Sequence, residues 1–503
     1  MKHYSFRQTL LLLAFLVSSL LHAQVGELPR ATPESVGISS KTIIALFDSA
    51  MALPKTEIHS LLVLRHGKVV GELYPRPFAA QYRHTMYSCS KTFVAAAIGL
   101  AIDENRLRLT DRVAAFFPEH LPDTITPYLA DMTVRDLLVM ASGIKPDWNM
   151  RNITTDWIRT FLAKPVKQPG IEFQYDSMVT YMLSAIVQKV TGMTMLDYLK
   201  LKLFDPMHIT EVAWELSPEG INTGGWGLHI QSESLAKFGL LLLNEGRWEG
   251  RQLLSASWVK EMTSLQMERE GEDYGYQTWL CEYPGAVRAD GALGQFVIMV
   301  PEKDMVIVIT ECSLLNGKPQ RNLFWHQLLP AVADAPLAPS KDYQRLLKKQ
   351  AAYQLPVVEG KASSSQAIQW ADKKITLQKN KLGWQELTLH ITPKEVQLVV
   401  TDKQGQTYTL PFGHRQWLTT STEACPPYSI TPIDCFRGIE RPFHVSGSYA
   451  WLQGGALRLK AHYVDWVTSL ELTFRQENGK VELTVQPNYS AKPFVVEGEV
   501  TAQ

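Results

Sequence analysis

The stretch that most constrains this chain is Tyr87-Ser88-Cys89-Ser90-Lys91-Thr92-Phe93, which runs directly into Val94-Ala95-Ala96-Ala97-Ile98-Gly99-Leu100-Ala101-Ile102. An Ala-rich run without proline favours helix, and Ser88 occupies the place of a helix-starting hydroxyl residue. Residues three apart are neighbours on a helix surface, so the spacing predicts the Lys91 amine beside the Ser88 hydroxyl at the positive helix end. That pairing suits acyl transfer: an amine can take the serine proton while backbone amides at the helix start face a developing oxyanion. The tetrapeptide is not specific by itself. Ser-x-x-Lys occurs four times, at Ser88/Lys91, Ser142/Lys145, Ser234/Lys237 and Ser257/Lys260, so context has to single out the first.

With 503 residues the chain exceeds one ordinary core, and about 150 residues per domain implies two or three units. Fifty basic residues balance fifty acidic ones, which leaves no global field for nucleic acid or an anionic membrane. Residues 1–23 carry Lys2 and Arg7, an apolar run over 10–21, and Ala23 before Gln24. This is the layout of a cleaved secretory signal, with too short an apolar part for a membrane span. The expectation is a periplasmic or secreted protein without stable membrane insertion after cleavage.

Five cysteines permit disulfides in an oxidising compartment, with one left over in a monomer. Cys425 and Cys435 are close enough for a loop-closing bridge, Cys281 and Cys312 could pair only if their strands adjoin, and Cys89 reads as a small core residue. No Cys-x-x-Cys or His-rich spacing occurs. Neither a metal nor another cofactor is expected.

Along the chain, residues 40–53 read as a capped helix. Residues 60–64 and 69–73 flank His66-Gly67-Lys68 as a hairpin, with His66 a turn residue rather than a ligand. Thr133 caps a short helix that stops before Ser142-Gly143, and its Met140 is core filler. Tyr175 falls at a junction between an extended segment and the helix 179–190, where a side chain can reach into a cleft. Glycines cluster around Trp226 over 220–227. Helices follow at 232–243 and 255–262, then strand-like runs at 276–280, 288–295, 296–300 and 305–309 suggest an antiparallel meander, closed by a helix at 322–329. Residues 333–340 read as a linker. Beyond 352, alternating pairs such as Leu387/Leu389, Leu398/Val400 and Leu470/Leu472 predict a separate β-barrel or sandwich. The expected units are a signal at 1–23, a hydrolase domain at 25–335, a linker and helix at 336–352 and a β domain at 353–503.

Taken together, Ser88-Cys89-Ser90-Lys91 after a hairpin, the segment 133–143, Tyr175-Asp176-Ser177 and Gly291-Ala292-Leu293-Gly294-Gln295 between late strands resemble the serine β-lactamase and penicillin-binding protein superfamily. The branch resembled is that of β-lactamase-related esterases, amidases and D-amino-acid peptidases. The resemblance implies an α+β fold: an α/β sandwich with an antiparallel sheet and a helical lobe, and an active site between them. It implies that Ser88 attacks a carbonyl, that Lys91 and Tyr175 move protons jointly, and that Ser177, Asp290, Gly291 and Ala292 meet the substrate. The oxyanion hole would use the Ser88 and Ala292 amides. A nearby ammonium is expected to lower the Tyr175 phenol pKa.

One departure matters. Where the family usually places Lys or His, then Thr or another residue, then Gly, this chain has Ala289, Asp290 and Gly291. Ala289 cannot meet a substrate carboxylate, and Asp290 repels one if it faces the cleft. Strand alternation puts Arg288 on the side of Asp290 and away from Ala289. The expectation is a serine hydrolase acting on a small-molecule ester or amide, with little β-lactamase activity. A non-hydrolytic sensor and a cell-wall D-peptidase are the alternatives; oligomeric state is open.

Overall fold

A computed structural model describes residues 26–152, 155–429, 436–477 and 480–500. The signal segment and Cys435 lie outside the described residues.

The first unit is built on a six-stranded antiparallel sheet. Its strands are β1 (Thr56–Arg65), β2 (Lys68–Leu73), β3 (Trp279–Leu280), β4 (Val287–Gly291), β5 (Gln295–Val300) and β6 (Met305–Ser313), in the spatial order β2-β1-β6-β5-β4-β3. Every residue of β5 and β6 is buried, so these strands read as continuous apolar runs rather than alternating ones. The β1–β2 turn sets His66 at φ 52° and Gly67 at φ 68°, the left-handed pair that a two-residue hairpin turn requires. His66 is a turn residue whose Nδ1 lies 2.7 Å from Asp304. The expected strand 276–280 shrinks to Trp279–Leu280, because Gln277 at φ 55° breaks the extension.

Helices cover both faces of the sheet. One face packs on α1 (Ser40–Met51), capped by the Ser39 hydroxyl, and on the late helix α7 (Lys318–Leu323). The other packs on α2 (Ser90–Asp103) and α5 (Ser232–Leu243). From Ser90 to Ala101 every residue of α2 except Lys91 is apolar or small, and all are buried, as a helix without a polar face must be. Around α2 lies the helical lobe, which includes α3 (Val134–Leu138), α4 (Ser177–Thr191) and α6 (Ala256–Met262). A reciprocal Thr133/Asp136 capping box starts α3. It ends two residues short of expectation, because Met140 takes φ 59° before Gly143.

Cys281 and Cys312 are free thiols. Cys281 follows the edge strand β3 and Cys312 lies in β6, with β4 and β5 between them, so that pairing is ruled out by sheet order. Cys89 is buried as core, its thiol donating to the Gln295 carbonyl at 3.2 Å.

After helix α8 (Asp342–Ala352) the chain forms ten further strands: β7 (Lys374–Leu377), β8 (Trp384–Ile391), β9 (Glu395–Asp402), β10 (Thr407–His414), β11 (Leu418–Thr422), β12 (Phe443–Trp451), β13 (Leu457–Tyr463), β14 (Ser469–Glu477), β15 (Lys480–Pro487) and β16 (Phe494–Val500). Neighbours pair antiparallel, and a parallel contact of Gly413 and His414 in β10 with Ser448 and Tyr449 in β12 closes a barrel. Closure removes the free edges an open sheet would expose. Inward residues such as Leu387, Leu389, Leu398, Val400, Leu470 and Leu472 fill its core. The barrel is fastened to the first unit at Glu57 in β1, which accepts from Lys460 at 2.6 Å and from Ser469 and Asn488 at 2.9 Å each.

Candidate active site

Ser88 does not cap α2. The residue before it, Tyr87, has φ 45°, and Tyr87–Cys89 form a 3-10 turn from which α2 starts only at Ser90. A hydroxyl spent on capping could not act as a nucleophile. Here Ser88 stays half-buried among fully buried neighbours, and its hydroxyl meets two side chains: Lys91 Nζ at 2.9 Å and the phenol of Tyr175.

Lys91 is buried, 1% exposed. Its Nζ donates to the Gly225 carbonyl at 2.6 Å, to Ser177 Oγ at 2.9 Å and to Ser88 Oγ. Burial lowers its pKa from 10.5 to about 7, a shift that Asp176 opposes and the buried guanidinium of Arg151 reinforces. Near neutral pH the amine is therefore neutral in a large fraction of molecules. A neutral amine has two N–H donors and one lone pair. The Gly225 carbonyl can only accept, so it takes one N–H; with Ser177 taking the other, the lone pair is left for the Ser88 proton.

Tyr175 sits just before Asp176, whose carboxylate accepts from the Met178 N–H at 2.9 Å and starts α4. Its ring lies 4.8 Å below Lys91 Nζ. The expectation that the nearby cation lowers the phenol pKa is overturned. Burial dominates and pushes it up, with Asp290 and Cys89 adding to the rise and only the Ser88 hydrogen bond opposing it. Tyr175 is a neutral phenol throughout the physiological range. Phe173, Tyr274 and Trp279 pack around it with ring centroids 6.5, 6.5 and 5.7 Å away, an aromatic wall assembled from two separate stretches of the chain, one of them ending in β3.

The strand end closes the opposite side. A Cβ on Gly291 would stand 2.3 Å from the Met86 carbonyl and 3.3 Å from Cys89 Sγ. Only glycine lets β4 approach the nucleophile turn this closely, which brings Ala292 to its edge. Ala289 is buried in the core and Arg288 stays on the Asp290 side, its Nε donating to Asp290 Oδ2 at 2.8 Å. Arg288 also meets Glu272 at 2.7 Å, so its charge is shared between two carboxylates. It does not replace the missing third-element cation. Among the described residues no group of His, Cys, Asp and Glu could hold a metal.

Ser88, Lys91, Tyr175 and Ser177 thus converge, with Asp290 and Gly291 at the end of the flanking strand and Ala292 just past it. The Gly225 carbonyl was not foreseen; its only trace in the sequence is the glycine cluster around Trp226. A Cβ on Gly225 would lie 2.4 Å from the Ser177 carbonyl, so this glycine is needed for the carbonyl to come within reach of Lys91. Glu215 was missed as well. It is fully buried, accepts from Trp226 Nε1 at 3.2 Å and from Tyr428 at 3.0 Å, and burial raises its pKa to about 8.

Among curated proteins, the 6-aminohexanoate-dimer hydrolase of Paenarthrobacter ureafaciens is 26% identical over 338 residues, 61% of this chain and 85% of that protein. Among solved structures, an octameric penicillin-binding protein homologue from Pyrococcus abyssi covers 91% of this chain and 99% of its own at TM-score 0.49 and 17% identity. A family VIII carboxylesterase covers 60% and 98% at TM-score 0.49 and 16% identity. The Beta-lactamase family model matches residues 45–324, more than half of the chain and all of the site. The chain belongs to that family, as a β-lactamase-related serine hydrolase.

Proposed function

We propose that the protein is exported and cleaves a small ester or amide through an acyl-enzyme on Ser88, with a soluble hydrolase domain at 25–335, a linker and helix at 336–352 and a β domain at 353–503. Lys91, as a neutral amine, takes the Ser88 proton as the hydroxyl oxygen attacks the carbonyl. The backbone amides of Ser88 and Ala292 meet the oxyanion. Tyr175 then donates its phenolic proton to the departing amine or alkoxide, recovers one from the Lys91 ammonium that had taken it from Ser88, and relays protons again when water attacks the ester. The single observation that carries this reading is the shared hydrogen bonding of the Ser88 hydroxyl by Lys91 and Tyr175, two proton carriers of opposite character.

Ala289 and Asp290 favour substrates without a carboxylate on that side of the scissile bond, which ranks small esters and linear amides ahead of D-alanyl peptides. The test is a fluorophosphonate probe followed by peptide mass spectrometry, together with turnover of p-nitrophenyl esters, D-amino-acid anilides and a 6-aminohexanoate dimer. Label on the Ser88 peptide that disappears in Ser88→Ala supports the assignment. An unlabelled wild-type protein that turns over none of these substrates would overturn it.

A further inference from the structure

We propose that the carboxy-terminal barrel is part of the positioning machinery of the hydrolytic site, with Tyr428, Ser429 and Trp466 holding the two backbone segments on which Ser88 and Lys91 depend. The proposal rests on the assignment of Ser88 and Lys91 above.

The first segment is the turn that carries the nucleophile. Tyr87 has φ 45°, an arrangement that a bulky side chain keeps only where its surroundings over-determine it. Those surroundings belong to the barrel. The Tyr87 ring is buried in the barrel's apolar cluster rather than in the hydrolase core. It stands edge-on to Trp466 at 6.2 Å, and its hydroxyl hydrogen-bonds Ser429 Oγ. Ala292 and Leu293, at the other edge of the site, pack against the same cluster.

The second segment is the loop 215–227, which delivers the Gly225 carbonyl to Lys91. Its two ends are tied by Glu215 N–H to Gly227 O and Thr223 N–H to Glu215 O, each 2.9 Å. Inside it the Glu215 carboxyl holds the Trp226 indole, and the barrel's Tyr428 hydroxyl holds that carboxyl at 3.0 and 3.2 Å. His229, two residues beyond the loop, stacks on Trp466 with centroids 4.9 Å apart, while the neighbouring Leu228 carbonyl accepts from Met86 N–H at 2.9 Å. One tryptophan from the barrel therefore touches the first segment at Tyr87 and, at His229, the residues that follow the second.

The chemistry needs Ser88 Oγ and Lys91 Nζ in register to a fraction of an ångström, and a misplacement of 1 Å costs on the order of a hundredfold in rate. The test uses the full chain. Trp466→Ala is expected to lower kcat about tenfold or more with KM changed less than about threefold, and Trp466→Phe to restore most of it. Tyr428→Phe and Ser429→Ala each delete one hydroxyl; both are expected to slow fluorophosphonate acylation of Ser88 and to lower kcat while the near-UV circular dichroism stays that of the wild type. If Trp466→Ala does not fold, these two variants decide. Wild-type acylation and kcat in folded Tyr428→Phe and Ser429→Ala overturn the barrel's role and leave the Ser88 assignment standing. A wild-type protein that is unlabelled at Ser88 and turns over none of the ester, anilide and amide substrates instead overturns the assignment on which the proposal rests.

Discussion

The Lys91 amine stands 2.9 Å from the Ser88 hydroxyl in a site so dry that its pKa falls to about 7. A positive charge that is costly to bury makes lysine a usable base at neutral pH.

In the proposed mechanism Lys91 must be deprotonated to accept the serine proton, so kcat/KM is expected to rise with pH through an acid limb near pH 7, the value for the free enzyme. Lys91→Arg keeps the charge and cannot lose a proton. It should lower kcat/KM by about 10²–10⁴-fold, with no limb near 7. A profile flat from pH 5 to 8 in the wild type would contradict the role given to Lys91.

Tyr175, a neutral phenol, matters in proportion to how badly the leaving group needs a proton. Tyr175→Phe is expected to reduce hydrolysis of an anilide by about 10²–10⁴-fold. Acylation by a p-nitrophenyl ester, whose leaving group departs as a stable anion, should suffer far less. Burst-phase kinetics on the two substrates would measure the difference.

Gly225 tolerates no side chain, since an added Cβ would lie 2.4 Å from the Ser177 carbonyl. Gly225→Ala should destabilise the fold by about 1–3 kcal/mol through overpacking and move the acceptor of Lys91. Chemical denaturation and the position of the acid limb of kcat/KM report the two effects separately.

Glu215 makes folding pH-dependent. Its folded pKa of about 8 lies above its ordinary 4.5, so the folded chain retains a proton that the unfolded chain releases. The stability this retained proton contributes is fully present below about pH 4.5 and is lost as pH rises from there to about 8. Lys91 acts in the opposite sense above pH 7, because the unfolded chain binds the proton more tightly. Glu215→Gln isolates the first effect: its melting temperature should lose the decline between about pH 5 and 8 that the wild type shows.

Nitrocefin should be turned over slowly. Ala289 carries no charge, and Asp290 holds a single hydrogen bond from Arg288, a guanidinium already shared with Glu272. Turnover at the rate of a dedicated β-lactamase would mean that another cation serves the carboxylate.

Much of this architecture can be read from local pattern. The hairpin around His66-Gly67, the helix 232–243 and the alternating strands beyond 352 are written in turn residues and in periods of 3.6 and 2, which depend on near neighbours alone. The Ser88–Lys91 contact follows from a three-residue helical spacing in the same way. The helix start did not follow, because a left-handed Tyr87 is favoured by nothing in its own chain neighbourhood. Around its ring lies an apolar cluster built mostly of barrel residues far away in the sequence.

The sequence by itself determined which groups exist and which local frames carry them: the hydroxyl and amine on one turn, the phenol at a helix entrance, the glycine at a strand end and the absent third-element cation. Tertiary structure alone decided their protonation and their register. A pKa answers to the total burial and charge around a group, so the Lys91 pKa falls and the Tyr175 pKa rises only when helices, sheet and loops from distant segments shut out water. The same long-range packing brought the Gly225 carbonyl to Lys91 and the barrel to Tyr87, contacts between segments that share no local pattern.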